Sequence, residues 1–507
     1  MLAEFFCMRY CFRKESFIMN HRNLSIGWAQ CSITPNGPIL MEGQMYPRVS
    51  RYVHDPITAT ALVLDNGDQQ AIFVSMDMTE APMHAMDRIR EELSAWPEIP
   101  FEKISFGVTH THNASSFYND FMRAENMQVY AEEILPPFQG PEDMVWGEKA
   151  QNFLAEKLAA LIGSAWENRK PGGISYAHDY AAVAFNRRPQ FRRANGVESI
   201  MYGNCASEDF VGFEGGIDTA VELLYTWDGN GEITGVVCNV PCPSQVHELH
   251  CYITADYWAP TRQYIREKLN KNVYVLPMCG AAGDLAPVDL VHISKTNGYA
   301  LKMWGGQTCE VFRDFDMTLL CQNIGDRISE AVARGYRTAR NYIEYAPVFE
   351  HEILSMSLPI RQVSEEDYQE AVAEVAQIHE KFSKENPMTM ADLVKAFEPQ
   401  GVILRHHQQE KCADYAFQCH ILRLGNIAVA TNPFELYQEF AQRIKARAEA
   451  EQVFIVQLAN GLGGYLPTWA AVNGGSYSSK PASTVCGPDG GDVLVEKTLD
   501  VMAKLWK

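Results

Sequence analysis

Five times along this chain an apolar run that reads as a buried strand stops in a polar segment carrying Gly, His or Asn. These segments are 109–113, 241–251, 279–287, 432–435 and 460–465. Short continuous apolar runs need cover on both faces, and helical patterns lie between several of them. That combination demands mixed β-sheets flanked by helices, an α/β fold. In open α/β sheets ligands gather outside the carboxyl ends of the strands. Five such segments delivered to one side would build a pocket.

The local signals fill in this plan. Residues 58–78 alternate, turn at Asn66-Gly67 and alternate again, a hairpin; residues 420–431 form a second one around Gly425-Asn426. Buried strands are expected over 103–108, 231–240, 272–278 and 453–460, and helices near 81–95, 148–168, 257–269 and 493–506. The spacing of Tyr368, Val372, Val375 and Phe382 predicts a helix over 364–382, with Ser364 as its N-cap and acidic residues in the first turn. Pro433 opens an expected helix over 433–450. The simplest organisation is a single large domain over 23–507, with the charged stretch 362–397 as a helical insertion or lid. Residues 1–22 read as a loose extension. They mix charges into an apolar stretch and so lack a signal-peptide core, and Met19 is an alternative start.

Composition excludes some functions. A formal charge of −20 argues against nucleic acid as a partner, which would call for a basic stripe. No apolar run of about 18 residues is present, so no membrane-spanning helix is expected. The 13 cysteines show no short-spaced quartet, and the chain reads as a cytoplasmic protein without disulfides.

The strand-end segments supply candidate chemistry, each with a bland alternative. His110 and His112 alternate on "THTHNASS", so both rings could reach one centre as metal ligand and substrate contact; the bland reading is a capped strand end. "CPSQVHELHC" adds His247, Glu248 and His250, at a spacing one residue short of the metalloprotease His-Glu-x-x-His. "CGAAGDLAP" is a small-residue loop with Asp284 as its ionisable group, or simply a tight turn. Glu435 lies near an expected helix start that would stabilise its charge, and "FNRRP" offers Arg187 as an anion clamp or a surface charge.

In this order the motifs "THTHNASS", "FNRRP", "VVCNVPCPSQV…ITADY", "GAAGDLAP", "NPFELYQEFAQRIK", "GGYLPT" and "GGSY" resemble the neutral/alkaline, non-lysosomal ceramidase family. "IGWAQCSITP" with "HDPITATALVLD" resembles that family's N-terminal signature, so the likeness runs from about residue 24 to the end. The resemblance implies a zinc amidohydrolase. It implies His110, Glu435 and Tyr465 as zinc ligands, and His112, Arg187 and Tyr477 as substrate contacts, Tyr477 lying twelve residues after Tyr465 as in the family. Two positions depart. Pro243 stands where the family has its second zinc histidine, leaving His247 or His250, or else Gln245 or Glu248, to fill the place. Ala286 stands where the family has a serine, which excludes a serine nucleophile. No sequence remains for the β-sandwich that follows the catalytic domain in ceramide-cleaving members.

The expectation is therefore a Zn2+-dependent hydrolase of an amide bond in a small N-acyl, lipid or sugar-derived substrate. His112, Arg187, Tyr477 and Asp284 would serve catalysis; His110, Glu435, Tyr465 and one of His247 or His250 would hold the metal. No other cofactor is expected, and the reading leaves room for a homo-oligomer. Two alternatives stay open: a carbohydrate-active hydrolase using the same pocket, given nine Trp and 22 Tyr, and a non-catalytic binding protein, given Pro243 and Ala286.

Overall fold

The computed structural model describes residues 23–117, 128–138, 140–295 and 317–507. The extension read over 1–22 lies outside them. Eight strands form the main sheet, in the spatial order Tyr274–Cys279, Ile233–Val240, Ala220–Asp228, Lys170–Tyr180, Ser25–Ser32, Thr58–Asp65, Gln70–Met76, Ile104–Val108. Pairing is antiparallel except at the two edges, where Tyr274–Cys279 and Ile104–Val108 run parallel to their neighbours. A second sheet orders Phe349–Pro359, Asp414–Leu424, Ile427–Thr431 and Gln452–Val456, its last pair also parallel. The mixed α/β architecture expected from the strand pattern is the one observed.

The two sheets pack face to face. Ile26, Leu62, Phe73 and Leu276 from the first meet Leu422, Val429, Phe454 and Val456 from the second in one apolar cluster. The outer face of the large sheet is covered by the helices Gly147–Glu167, Trp258–Lys268 and Thr318–Ala339. Gln438–Arg447 and Pro488–Leu505 cover the outer face of the small one. The result is a helix–sheet–sheet–helix sandwich whose strands are buried on both faces, which is why so many of them read as unbroken apolar runs.

Ser364 caps the Glu365–Lys381 helix by accepting a hydrogen bond from the Asp367 amide at 3.1 Å. A second helix, Met390–Lys411, follows behind a Thr389/Asp392 capping box and runs through Pro399. The helix expected over 433–450 starts later, at Gln438. Pro433 and Phe434 instead form a bend, and Glu435–Leu436 pairs in parallel with Tyr465–Leu466. Phe434 is fully buried, its carbonyl accepts from Leu458 N at 3.1 Å and Glu435 N donates to Gly464 O at 2.8 Å, so long-range contacts hold this segment out of a helix. Glu435 therefore lies outside the helix, two residues before its N-cap Tyr437. Among the described residues, no helix is long and apolar enough to cross a membrane.

Candidate active site

The strand ends meet as the segment pattern predicts, stitched by backbone hydrogen bonds. Asn460 N donates to Phe106 O at 3.1 Å, Ser244 N to Thr109 O at 3.3 Å and Gln457 N to Cys279 O at 3.0 Å. Gly283 N donates to Leu436 O at 2.9 Å, and Arg187 N to Asp284 O at 3.0 Å. Loops from both sheets thus share one floor. Two close approaches demand glycine there. A Cβ on Gly43, whose φ is +96°, would lie 2.3 Å from Cγ of His112, and one on Gly283 would lie 2.3 Å from the Glu435 carbonyl oxygen.

His110 and His112 do not sit on a straight strand. His110 takes a left-handed φ of 63°, so the chain turns between them, yet the two rings still converge edge to face with their Nε2 atoms 3.4 Å apart. Strain of this kind in a non-glycine residue persists where surrounding contacts over-determine it. Here they do: His110 Nδ1 donates to the Thr79 carbonyl at 2.7 Å, which fixes the ring and leaves Nε2 facing Glu435 Oε2 at 3.3 Å. Burial opposes protonation of His110, but the Glu435 carboxylate and the Thr79 carbonyl outweigh it and hold the imidazole above its ordinary value. Burial likewise works against the Glu435 charge, and His110, Arg187 and the Tyr465 hydroxyl overcome it, so the carboxyl stays below its usual range.

Tyr465 arrives beside Glu435 because the two residues are directly paired across their short strands. Arg187 is buried behind them. Its Nη2 donates to the Tyr465 hydroxyl at 3.0 Å and to the Gly283 carbonyl at 2.9 Å. Tyr477 stacks edge-on against Tyr465 with ring centres 5.5 Å apart, and burial keeps its hydroxyl protonated. The loop that carries it is tied down by fully buried Arg188, which donates to the Tyr477 carbonyl at 2.6 Å and pairs with Glu214 at 2.8 Å. Burial pushes His112 down to about 4, so its ring is neutral near pH 7. Its Nε2 accepts from the Gln245 amide at 2.8 Å, and its Nδ1 lies 3.4 Å from Glu248, at ion-pair distance but off the hydrogen-bond direction.

Not every candidate reaches this centre. The segment holding His247 and His250 is a loop rather than a helix, and neither ring lines the cavity that His110, His112 and Glu435 border. His247 Nδ1 shares a hydrogen bond with the Tyr252 hydroxyl at 2.7 Å, and both rings pack in an aromatic group with His54 and Tyr252. His247 also lies with Asp256 and Cys321, their donor atoms within 4.8 Å of one another. The Asp256 oxygens there accept from the backbone amides of His247 and Tyr257, both at 2.8 Å, and burial raises its carboxyl to about 7. Asp284, raised by burial to about 6, faces the backbone: it accepts from Gln438 N at 2.9 Å and from Asn186 at 3.2 Å. Ala286 pairs with Phe185 in a two-residue strand, fully buried.

Several site residues carried no sequence signal. Thr79 orients His110. Arg48 donates to the carbonyls of Glu42 at 2.7 Å, His112 at 2.5 Å and Glu248 at 2.8 Å, clamping three loops. Asp77 and Arg262 form a buried two-pronged ion pair, both contacts 2.8 Å, and Asp77 also accepts from Thr109 Oγ1 at 3.3 Å, next to His110. Each is a single polar residue whose partner lies far along the chain, so no local pattern announces it.

A cavity of about 440 Å³ opens above this centre. Its floor holds His110, His112, Glu435, Tyr465 and Tyr477, and one face of the Met390–Lys411 helix forms a wall. Neither a scan of family profiles nor a search of curated proteins returns a match. Solved structures do match. A ceramidase "complexed with C2" is similar at 15% identity with a TM-score of 0.63, over 95% of this chain and 75% of that one. The neutral ceramidase of Pseudomonas aeruginosa is similar at 16% identity with a TM-score of 0.64, over 95% of this chain and 74% of that one. The chain has a neutral ceramidase-like fold.

Proposed function

We propose that this protein is a zinc-dependent amidohydrolase that cleaves the amide bond of an N-acyl small molecule. The observation that carries the reading is the convergence of His110 Nε2, Glu435 Oε2 and the Tyr465 hydroxyl, with His110 Nδ1 already committed to a carbonyl. Two ligand atoms of a tetrahedral zinc site stand roughly 3.3–3.5 Å apart, given zinc–nitrogen and zinc–oxygen distances near 2.1 Å. The His110–Glu435 separation of 3.3 Å fits that edge. The donor set of imidazole, carboxylate and phenol oxygen also suits zinc. Three protein ligands with one open position are the arrangement of a catalytic zinc. On this account the residue at Pro243 need not be replaced.

Zinc held there would supply Lewis-acid activation of water and of the amide carbonyl at neutral pH. The chain's own residues do the rest. Neutral His112, its Nε2 3.4 Å from His110 and already accepting from the Gln245 amide, would pack against the substrate and fix its position beside the metal. Arg187, permanently charged behind Tyr465, would stabilise negative charge developing on the carbonyl oxygen. Tyr477, kept protonated, would donate a hydrogen bond to the substrate. Asp284 acts at one remove, since its backbone carbonyl holds the Arg187 amide. In the net reaction the carbon–nitrogen bond breaks, the hydroxyl of water joins the acyl carbon and its proton goes to the amine.

The test is hydrolysis of a panel of N-acyl amides before and after removal of metal with dipicolinate. Activity should vanish on chelation and return with added zinc, and Glu435→Gln should hold less than about half an equivalent of the ion, since the site needs its full ligand set. Amide hydrolysis that survives complete metal removal would overturn the reading.

A further inference from the structure

One wall of the cavity comes from a single helix. Phe397, Gln400, Gly401, Leu404, Arg405 and Gln408 recur at the spacing of a single helical face. This helix is seated closely. A Cβ on Gly401 would come within 2.4 Å of Ala482, on the turn that adjoins it. The side chains it presents are therefore a fixed part of the pocket.

Arg405 is the one permanently charged cation among the described residues that line the cavity. Its Nη1 bonds the neutral Gln408 side chain and its Nε reaches the Pro481 carbonyl at 3.4 Å, but no carboxylate among the described residues lies at ion-pair distance. A second guanidinium, Arg361, stands nearby and is likewise satisfied only by neutral oxygens, those of Ser479 and of Thr484 at 2.9 Å. Burial and this mutual repulsion push Arg405 down to about 10, and none of the cavity's own carboxylates acts to raise it. Arg405 is half-buried, and a cation drawn partly out of water without a counter-ion is left under-compensated. A guanidinium also presents a fork that matches a carboxylate in two-pronged fashion.

We propose that the pocket selects N-acyl substrates bearing a carboxylate, with Arg405 as its counter-ion, over neutral amides of the same size. The proposal rests on the amidohydrolase reading for the identity of the scissile bond, but recognition of the carboxylate does not need turnover. The carboxylate can lie on the amine side of the amide or on the acyl side, and two probe pairs separate these cases. N-octanoylglycine is compared with N-octanoylglycinamide, and octanedioic acid monoamide with octanediamide. Each is titrated into the full-length protein by calorimetry, or ranked by kcat/KM where it is turned over.

The carboxylate member of at least one pair should bind ten-fold or more tighter than its carboxamide. Arg405→Met should erase that preference, and Arg405→Lys, which keeps the charge, should retain part of it. Equal binding of both members of both pairs by the wild type would overturn the proposal, as would a preference that survives Arg405→Met. A carboxylate preference in a protein that holds no zinc and cleaves nothing would retire the amidohydrolase reading and leave the Arg405 site standing. Zinc-dependent cleavage of neutral and acidic amides alike would do the reverse.

Discussion

The strand that delivers His110 is held at its edge by a chain of hydrogen bonds that works only when two histidines are neutral. His351 Nδ1 donates to the Gln70 carbonyl at 2.8 Å, His420 Nδ1 donates to His351 Nε2 at 3.0 Å, and Asn460 Nδ2 donates to His420 Nε2 at 2.8 Å. Asn460 in turn grips the strand: its Oδ1 accepts from Phe106 N at 2.6 Å and its Nδ2 donates to Ile104 O at 3.1 Å. Each ring nitrogen is used once, so an added proton would set N–H against N–H. Burial first, and the Lys103 charge in addition, depress His351 to about 4 and His420 to about 3. In the unfolded chain both would titrate near 6.5. A depressed histidine makes its contribution above that value and loses it as the pH falls, because the unfolded chain binds a proton that the folded one refuses. Between pH 7.5 and 5.5 each histidine should cost about 1.4 kcal/mol, and the pair roughly 3 kcal/mol. Urea titrations at the two pH values measure the loss. His420→Gln keeps a donor and an acceptor but no titrating ring, so its loss between the same pH values should be smaller by about 1.4 kcal/mol. An unchanged loss in the variant would refute the reasoning.

Two further outcomes follow from the packing of the site. Gly43→Ala would drive a methyl group into the His112 ring, and a displacement of about 1 Å at such a residue costs on the order of 10²-fold in rate. Zinc content, measured by elemental analysis, should stay at the wild-type level. Arg262→Met leaves the fully buried Asp77 without its cation, and breaking one side of a buried pair costs about 3–5 kcal/mol. A loss below about 1 kcal/mol in denaturant titration would show that the donors from Thr58 and Thr109 suffice.

What could be read in advance was what is local. The Asn66-Gly67 hairpin, the buried runs ending at His110 and Asn460, and the Ser364 cap each carry their signal within a few residues, and the structure has them. The strands Lys170–Tyr180 and Ala220–Asp228 were not legible. The first contains Gly172, Gly173, His178 and Asp179 and is strand only because its neighbours pair with it. The helix near Pro433 starts late for the same reason, since the competing arrangement is a pairing with residues thirty positions later. At the site, the order of short motifs pointed to His110, Glu435 and Tyr465. The groups that hold them in place, Thr79, Arg48, Asp77 and Arg262, are legible only once the fold has brought their partners near. Arg405 belongs with them, because a charge without a counter-ion is a property of the packed pocket rather than of any segment.

The central claim is that His110, Glu435 and Tyr465 hold a catalytic zinc. The direct measurement is anomalous diffraction above and below the zinc edge on crystals of protein purified without added metal. The account predicts a single anomalous peak within bonding distance of His110 Nε2, Glu435 and the Tyr465 hydroxyl, about 2.1 Å from each. No peak at that position, or a peak confined to the His247, Asp256 and Cys321 group, would contradict it.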